Sequence, residues 1–218
     1  MIAHASGHHA KFGISPPKFF TENIGRKPRL ECASTALGHV PAQRRIAEEA
    51  FNGAREFRRV SDESPTFRLA PDALLRAGDS YEAQWANIAL DPTTGQTALA
   101  TYQELQGRFP GTSAARIAAV RIQALNERFA TKEMDSGLFY FQRNAFDSAI
   151  LYFKDLIASY PSSVLVPDAY VYLVRSYRAI GWKDEQGAFC DQLRTYYAPF
   201  FRQRADVREL CGDRAAGR

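Results

Sequence analysis

Histidine and cysteine are the residues of this sequence that could bind a metal ion or take part in catalysis. All four histidines, His4, His8, His9 and His39, lie near the N-terminus. The group formed by the first three could hold a metal ion, but no cysteine or carboxylate is placed to complete the coordination shell. We therefore predict no metal site.

The cysteines are Cys32, Cys190 and Cys211. Their odd number and the lack of any CxxC spacing argue against a disulfide framework and against a zinc site. Cys190 falls at an apolar position of a predicted helix, so we expect it to be a buried and inert thiol.

None of the residue patterns typical of an active site accompanies these histidines and cysteines. The sequence has no glycine-rich phosphate-binding loop and no HExxH motif, and no histidine beyond residue 43 could activate a serine or cysteine nucleophile. Asp72 and Asp168 recur at equivalent places, but a role at helix starts explains both of them. We predict that the protein is not an enzyme and uses no cofactor.

Candidate protein-binding residues can be named, because tyrosine and arginine are the types that anchor protein interfaces. Tyr172, Arg175 and Arg178 are spaced i, i+3 and i+6 along one predicted helix, so they share a broad face. Arg143 and Asn144 follow the end of another predicted helix. We predict that these five residues bind a protein partner; the alternative is that they are ordinary solvated side chains.

The composition is that of a globular protein, with 45% hydrophobic residues, 24% charged residues and a formal net charge of +4. Lys and Arg are dispersed among Asp and Glu, which favours a solvated basic surface over contact with anionic partners. No basic stripe carries interleaved aromatic residues, so we predict no nucleic-acid binding. No apolar run approaches the roughly 20 residues that span a bilayer, and residues 1–10 lack a signal-peptide pattern.

The chain divides into three parts. Residues 1–43 contain many Gly and Pro breaks, which predict an irregular N-terminal arm. From Arg44 onward, helix-forming residues dominate and apolar residues recur at spacings of three and four, which predicts a helical domain over residues 44–212. Residues 213–218 form a short tail.

Two segments of the helical part are similar at an offset of 96 residues. Residues 57–81 read FRRVSDESPTFRLAPDALLRAGDSY, and residues 153–177 read FKDLIASYPSSVLVPDAYVYLVRSY. The coinciding residues are mostly proline, aromatic and small side chains: Phe57/Phe153, Pro65/Pro161, Leu69/Leu165, Pro71/Pro167, Asp72/Asp168, Ala73/Ala169, Ser80/Ser176 and Tyr81/Tyr177. Each copy predicts a helix closed by a proline, a connector, and a second helix opened by Pro-Asp.

A third copy of the first half lies between these two. It repeats one spacing of small, aromatic, apolar and proline residues, with Ala98, Tyr102, Leu105 and Pro110 matching Ala149, Phe153, Leu156 and Pro161. Preceded by Gly137 and Tyr140, this spacing resembles the tetratricopeptide repeat. We predict an all-α fold in which helix pairs stack into a right-handed superhelical solenoid. The alternative is an unrelated antiparallel helical bundle.

The repeats are irregular in three places. A turn-rich insertion is predicted over residues 87–97, which include the run DPTTG. Residues 113–142 predict one long helix or two nearly continuous ones. The last repeat carries Gln186 where a small residue is usual, which is typical of terminal repeats.

These irregularities resemble the BamD family, the tetratricopeptide lipoproteins of the bacterial outer-membrane β-barrel assembly machinery. The most specific element is Glu127-Arg128-Phe129-Ala130-x2-Glu133, which precedes the run FYFQRNAF at residues 139–146. The resemblance covers roughly residues 47–181. It implies a non-catalytic scaffold on the periplasmic face of the bacterial outer membrane.

The resemblance also implies partners. The first repeats would bind unfolded outer-membrane proteins, and the later repeats would bind the periplasmic domain of the barrel insertase. Members are lipidated on an N-terminal cysteine, whereas Cys32 follows Arg29-Leu30-Glu31, which is not a lipobox. We therefore expect that residues 1 to about 45 are not the natural N-terminus, and that membrane contact uses a lipid anchor not present in this chain. The alternative function is a general tetratricopeptide adaptor of the cell envelope.

Overall fold

The computed structural model describes residues 51–212. The predicted N-terminal arm, the tail and all four histidines therefore lie outside the described residues, as does Cys32. Within residues 51–212 the chain forms helices and no strand. The helices are α1 (residues 51–63), α2 (Ala70–Gln84), α3 (Thr93–Arg108), α4 (Ser113–Gln142), α5 (Phe146–Ser159), α6 (Val166–Ile180), α7 (Lys183–Tyr196), α8 (Ala198–Gln203) and α9 (Ala205–Leu210).

The helix starts confirm the predicted Pro-Asp signals. Pro71 and Pro167 stand in the first turns of α2 and α6, where the missing amide hydrogen costs nothing. Asp72 and Asp168 follow them and place negative charge near the positive end of the helix dipole. The thirty-residue helix α4 likewise confirms the long helix predicted over residues 113–142. None of the described helices is both long and apolar enough to cross a membrane.

Consecutive helices pack side by side as antiparallel pairs, which gives an all-α, tetratricopeptide-like fold. In the pair α2 and α3, Gly78 faces Tyr102 while the later residue Trp85 faces the earlier residue Gly95, so the two chains run in opposite directions. The pair formed by the second half of α4 and α5 repeats this arrangement, with Gly137 facing a buried phenylalanine of α5. The absence of a side chain at Gly137 lets α4 and α5 approach closely.

The buried residues form two clusters, and α4 contributes to both. Its first half supplies Ala118, Leu125 and Phe129 to a cluster shared with α2 and α3. Its second half begins with Ala130 and belongs to a cluster shared with α5, α6 and α7. The half-buried Tyr160 packs against both clusters, so α4 and the turn after α5 connect the two parts of the core.

The predicted insertion over residues 87–97 is wrong in its second half. Helix α3 already begins at Thr93, and the connector between α2 and α3 is residues 85–92. Asp91 accepts a hydrogen bond from the amide of Thr93 at 2.7 Å, which favours a helix start at this point. Gly95 belongs to the predicted turn-rich run, but it lies inside α3, where the ring of Trp85 occupies the space beside it.

The prediction of an unpaired Cys190 is also wrong. Cys190 of α7 forms a disulfide with Cys211, which follows α9, and the two Cα atoms are 5.6 Å apart. The burial of Cys190 was predicted correctly, with 2% of its surface exposed. The short helices α8 and α9 cover the end of the last pair, and Gln186 donates a hydrogen bond to the carbonyl of Leu210 at 3.3 Å. This hydrogen bond pairs the amide of a large polar side chain at a position where a small residue is usual.

Candidate partner-binding site

An open cleft of about 480 Å³ lies between α2 and the first half of α4. It is lined by four charged and four mostly apolar residues: Asp79, Glu82, Arg121, Arg128, Ala83, Trp85, Ala86 and Ile88. We call it the α2–α4 cleft. The two acids are one turn apart on α2, and the two arginines are two turns apart on α4, so each pair occupies one face of its helix.

The charges of the cleft face each other across the two helices. Arg121 lies 3.6 Å from the carboxylate of Asp79, and Arg128 lies 3.6 Å from that of Glu82. Both carboxylates also contact the hydroxyl of Tyr102, at 2.8 Å and 2.9 Å. A hydroxyl has one proton and can donate to only one acid at a time. Burial, followed by the two carboxylates, raises the pKa of Tyr102, so it remains a neutral donor that holds both acids in place.

Trp85 forms the floor of the cleft and is almost fully buried. Its ring stacks on Phe129 with centroids 4.6 Å apart, and the guanidinium of Arg128 lies 4.5 Å from the ring centre. Arg128 also donates a hydrogen bond to the carbonyl of Trp85. The indole N–H of Trp85 is buried and has no hydrogen-bond partner among the described residues.

The connector that borders the cleft is held in place by α4. The ammonium group of Lys132 donates to the carbonyls of Ile88 and Leu90, both at 3.0 Å. Arg121, Arg128 and Lys132 thus form a row of cationic donors along one face of α4. The side chain of Arg121 is about half exposed (48%). Its guanidinium therefore contacts both Asp79 and solvent.

This arrangement offers both hydrogen-bond donors and acceptors to a bound chain. Guanidinium donors on one wall and carboxylate acceptors on the other match the carbonyl and amide groups that alternate along an extended polypeptide. The apolar floor adds contact area for side chains. No group of residues able to hold a metal ion occurs in the part of the chain that the structure describes.

Two of the predicted binding residues, Arg143 and Asn144, lie on the exposed turn between α4 and α5. The guanidinium of Arg143 lies 3.4 Å from the ring centre of Phe139 and donates to that residue's carbonyl at 3.0 Å. Asn144 has a φ of 59°, a left-handed conformation that asparagine tolerates better than most residues. The conformation of this turn therefore accounts for the asparagine, while both side chains remain accessible.

The other three predicted residues lie on α6 but do not form one patch. Tyr172 is half-buried and stacks on Phe153 at 5.6 Å. The guanidinium of Arg175 lies 5.4 Å from the ring of Tyr172 and 3.2 Å from the carboxylate of Asp206 in α9. Arg178 is exposed, and its side chain makes no ion pair or hydrogen bond within residues 51–212. The structure brings Tyr172 and Arg175 together and leaves Arg178 apart.

The residues of the α2–α4 cleft were not predicted as a site. The sequence does show that each pair shares one helix face, because Asp79 and Glu82 are spaced i, i+3 and Arg121 and Arg128 are spaced i, i+7. Opposite charges on two helices do not show that the helices are neighbours, however. Only the parallel packing of α2 against α4 brings them together.

Sequence comparison agrees with this helical architecture. A model of the family described as YfiO, outer membrane lipoprotein, matches residues 64–190, which is more than half of the chain. The chain belongs to this family, known as BamD. The matched range begins just after α1 and ends within α7, so it contains the α2–α4 cleft and the five predicted binding residues.

Two BamD proteins are similar to the chain. The outer membrane protein assembly factor BamD of Caulobacter vibrioides is 30% identical over 105 residues, which is 48% of this chain and 34% of that protein. The protein of the same name from Rickettsia prowazekii is 29% identical over 97 residues, 44% of this chain and 39% of that protein. The matched segments therefore span little more than a third of the length of these relatives.

Residues 127–133 of α4, on which the sequence resemblance rests, contact the elements on both sides of this helix. Glu127 accepts a hydrogen bond from the hydroxyl of Ser163 at 2.7 Å and another from the amide of Val164 at 3.2 Å, which holds the turn between α5 and α6. Phe129 stacks with Trp85 and also with Tyr160, whose ring centre is 6.2 Å away. The element therefore connects α2 to the α5–α6 turn through the middle of α4.

Proposed function

We propose that this protein is a non-catalytic scaffold of the outer-membrane β-barrel assembly machinery. It binds unfolded outer-membrane proteins in the α2–α4 cleft and the periplasmic domain of the barrel insertase through its later helices. Membership of the BamD family supports the general role, since the similar proteins of Caulobacter vibrioides and Rickettsia prowazekii are outer membrane protein assembly factors.

The observation that carries the proposal is the pairing of donors and acceptors across the α2–α4 cleft. An unfolded β-barrel strand presents backbone amides and carbonyls that have not yet found partners. Arg121 and Arg128 can donate to its carbonyls, while Asp79 and Glu82 can accept from its amides. Recognition of the backbone would allow many different barrel sequences to bind, which suits a general assembly factor.

A right-handed superhelical solenoid is the arrangement we propose for the helix pairs. Two features support it: successive helices pack in order, and the first helices of neighbouring pairs, α2 and α4, contact each other. In such a stack the first helices line one continuous surface. The α2–α4 cleft would then lie on the same surface as α6.

The later helices supply the candidate contacts for the insertase. Arg143, Asn144, Tyr172, Arg175 and Arg178 all lie within the family match. Arg178 is the strongest of them, because it is exposed and its guanidinium has no partner among the described residues. Arg175 would have to exchange its contact with Asp206 for a carboxylate of the partner.

A location on the periplasmic face of the outer membrane fits the disulfide between Cys190 and Cys211. Disulfides form and persist in oxidising compartments, of which the bacterial periplasm is one. The bond also holds α9 against the end of the repeats, so an oxidising location would contribute directly to the stability of the domain.

The test is the binding of a urea-unfolded outer-membrane barrel protein, labelled with a fluorophore and diluted into solutions of the full chain. We expect saturable binding by fluorescence anisotropy, weakened about fivefold or more by Arg121→Ala, since one charged donor is removed. Arg202→Ala, at an exposed position of α8, is the matched control. Equal affinity for the unchanged chain and Arg121→Ala would contradict the assignment of substrate binding to this cleft.

A further inference from the structure

The last two helices of the described chain form a short cap on the end of the repeats. Helices α8 and α9 have six residues each, and α9 packs on α6. Its apolar residues Val207 and Leu210 belong to the core cluster shared with α5, α6 and α7, and both are buried. A helix of six residues is too short to persist in water by itself. Contacts with the rest of the domain therefore hold α9 in place.

The first end of α9 is attached to α6 by ion pairs. The carboxylate of Asp206 accepts a hydrogen bond from the guanidinium of Arg175 at 3.2 Å. Arg204, the residue before α9, donates to Asp168 of α6 at 3.2 Å and to Asp206 at 2.9 Å. The side chains of these four residues are between 28% and 46% exposed. Because ion pairs that are open to water stabilise little, these pairs alone hold α9 weakly.

The other end of α9 is attached to α7, and the disulfide is the covalent part of this attachment. Cys211 follows α9 and is bonded to Cys190 of α7. Arg194 of α7 donates to the carbonyl of Cys211 at 2.7 Å, and Gln186 donates to that of Leu210. Cys190 is buried, whereas Cys211 is half-buried. A reductant can therefore reach the bond from the side of Cys211, and disulfides open to solvent are the ones that are readily reduced.

The docked α9 covers one of the candidate binding residues of α6. Within residues 51–212 the acidic partner of Arg175 is Asp206, and the side chain of Arg175 is 28% exposed. Arg178, about one turn further along α6, is exposed. The carboxylate of Asp206 thus lies where an acidic group of another protein would meet Arg175. Removal of α9 would leave an unpaired guanidinium beside the apolar surface that Val207 and Leu210 had covered.

We propose that α9 is a cover on Arg175 that the disulfide between Cys190 and Cys211 keeps closed and that a dithiol reductant opens. A thiolate of the reductant attacks the sulfur of Cys211, and the electron pair of the broken bond leaves with the sulfur of Cys190, which takes up a proton. The second thiol of the reductant then attacks the mixed disulfide and releases Cys211, also as a thiol. Two electrons and two protons pass to the protein, and the reductant becomes a disulfide. With this tether gone, α9 leaves α6, because the remaining ion pairs are open to water.

The opening of α9 would regulate the binding of the insertase. Arg175 is one of the residues proposed to contact the insertase, so this consequence rests on the proposed function. The oxidised protein keeps the contact covered, and the reduced protein offers it. The opening itself is measured without any partner, so its failure can be told apart from a failure of the proposed function.

The test compares the full chain before and after reduction with dithiothreitol, with circular dichroism to establish that the repeats stay folded. Hydrogen exchange, read by mass spectrometry, should rise at least about tenfold in α9 and less in α2 and α3, because α9 opens locally. Phenylglyoxal, which modifies accessible guanidinium groups, should react with Arg175 at least about threefold faster after this opening. The exposed Arg178 is the internal control and should react at an unchanged rate. The double variant Cys190→Ala, Cys211→Ala should behave like the reduced chain with and without dithiothreitol.

Three results would overturn the proposal. The first is unchanged exchange in α9 after reduction, which would show that the disulfide is not needed to keep the cover closed. The second is an equal rise of exchange in α9, α2 and α3, which would make the bond a stabiliser of the whole domain and not a latch. The third is a rise in α9 without faster reaction of Arg175 relative to Arg178. If α9 opens as expected but the insertase domain binds the oxidised and the reduced chain equally, the cover stands and the assignment of Arg175 to the insertase fails.

Discussion

The ring of Phe153 occupies the space in which a side chain at Gly137 would begin. A β-carbon at Gly137 would lie 2.5 Å from a carbon of that ring, which is too close for any real contact. Gly78 and Tyr102 have the same relationship in the preceding helix pair. Both aromatic residues are fully buried. The close approach of the paired helices therefore depends on a glycine opposite an aromatic ring.

Gly137→Ala should lower the free energy of unfolding by about 1–3 kcal/mol, because the buried ring of Phe153 has to move to make room. The measurement is urea unfolding followed by circular dichroism. Gly107 is the matched control, since it lies within α3 and has nothing within 4 Å of its β-carbon position. Gly107→Ala should raise the stability by about 0.5–1 kcal/mol through helix propensity. Destabilisation of equal size in both variants would refute the packing argument.

Reduction of the disulfide should destabilise the domain. The bond closes a loop between residues 21 positions apart, and constraining such a loop in the unfolded chain contributes about 3 kcal/mol. Thermal unfolding with and without a reductant measures the effect. The double variant Cys190→Ala, Cys211→Ala should melt at a lower temperature and should not respond to the reductant. A response of the double variant as large as that of the unchanged chain would attribute the effect to another group.

Phe129→Ala should cost about 3–5 kcal/mol, because it removes a buried ring that stacks with both Trp85 and Tyr160. Phe139→Ala, on the same helix but 48% exposed, should cost no more than about 1 kcal/mol. Hydrogen exchange gives the sharper comparison. Loss of Phe129 should raise exchange both in α2 and around the α5–α6 turn, and a change confined to one of these regions would contradict its connecting role.

Glu133 should make the domain less stable as the pH rises from acid to neutral. Burial, followed by the nearby Asp155, raises the pKa of Glu133 above its ordinary value of 4.5, while Lys132 opposes the shift. Tyr152 and Tyr160 also face this carboxylate and are themselves made harder to ionise by it. Between the ordinary and the raised pKa the folded state binds more protons than the unfolded state, so stability falls as the pH rises through that window.

Glu133→Gln removes this titration. The variant should therefore melt at a higher temperature than the unchanged chain at about pH 7, and the difference should shrink toward about pH 4, where the carboxyl is protonated in both states. Glu209→Gln, at an exposed position of α9, controls for the loss of one negative charge. A gain for Glu133→Gln that is the same at both pH values would show that the carboxylate does not titrate as argued.

Much of the fold could be read from local patterns. Proline closes α1 and α5 and Pro-Asp opens α2 and α6, because these residues restrict or satisfy the backbone of their own turn. The small and aromatic residues that recur in the repeats lie in the core, since Ala149, Phe153 and Tyr177 are buried. The offset of 96 residues does not guarantee equal burial, since Phe57 is 40% exposed while Phe153 is fully buried.

The binding residues were predicted less well, because exposure depends on neighbours that are distant in the chain. Tyr172, Arg175 and Arg178 share one helix at suitable spacing, yet α4 and α5 pack against the first and α9 contacts the second. The α2–α4 cleft joins residues about 40 positions apart, as in the contact of Arg121 with Asp79. The insertion was overestimated because turn-forming residues such as Thr93 and Gly95 also suit a helix start that packs under Trp85.

The sequence by itself determined that this is an all-α repeat protein of the BamD family, because helix starts, helix ends and repeat spacing are properties of residues close together in the chain. The tertiary structure alone decided two things: the disulfide between Cys190 and Cys211, and the cleft between α2 and α4. Each of these depends on the distance between helices that are not neighbours in sequence. Residue types constrain such distances only weakly, and packing determines them.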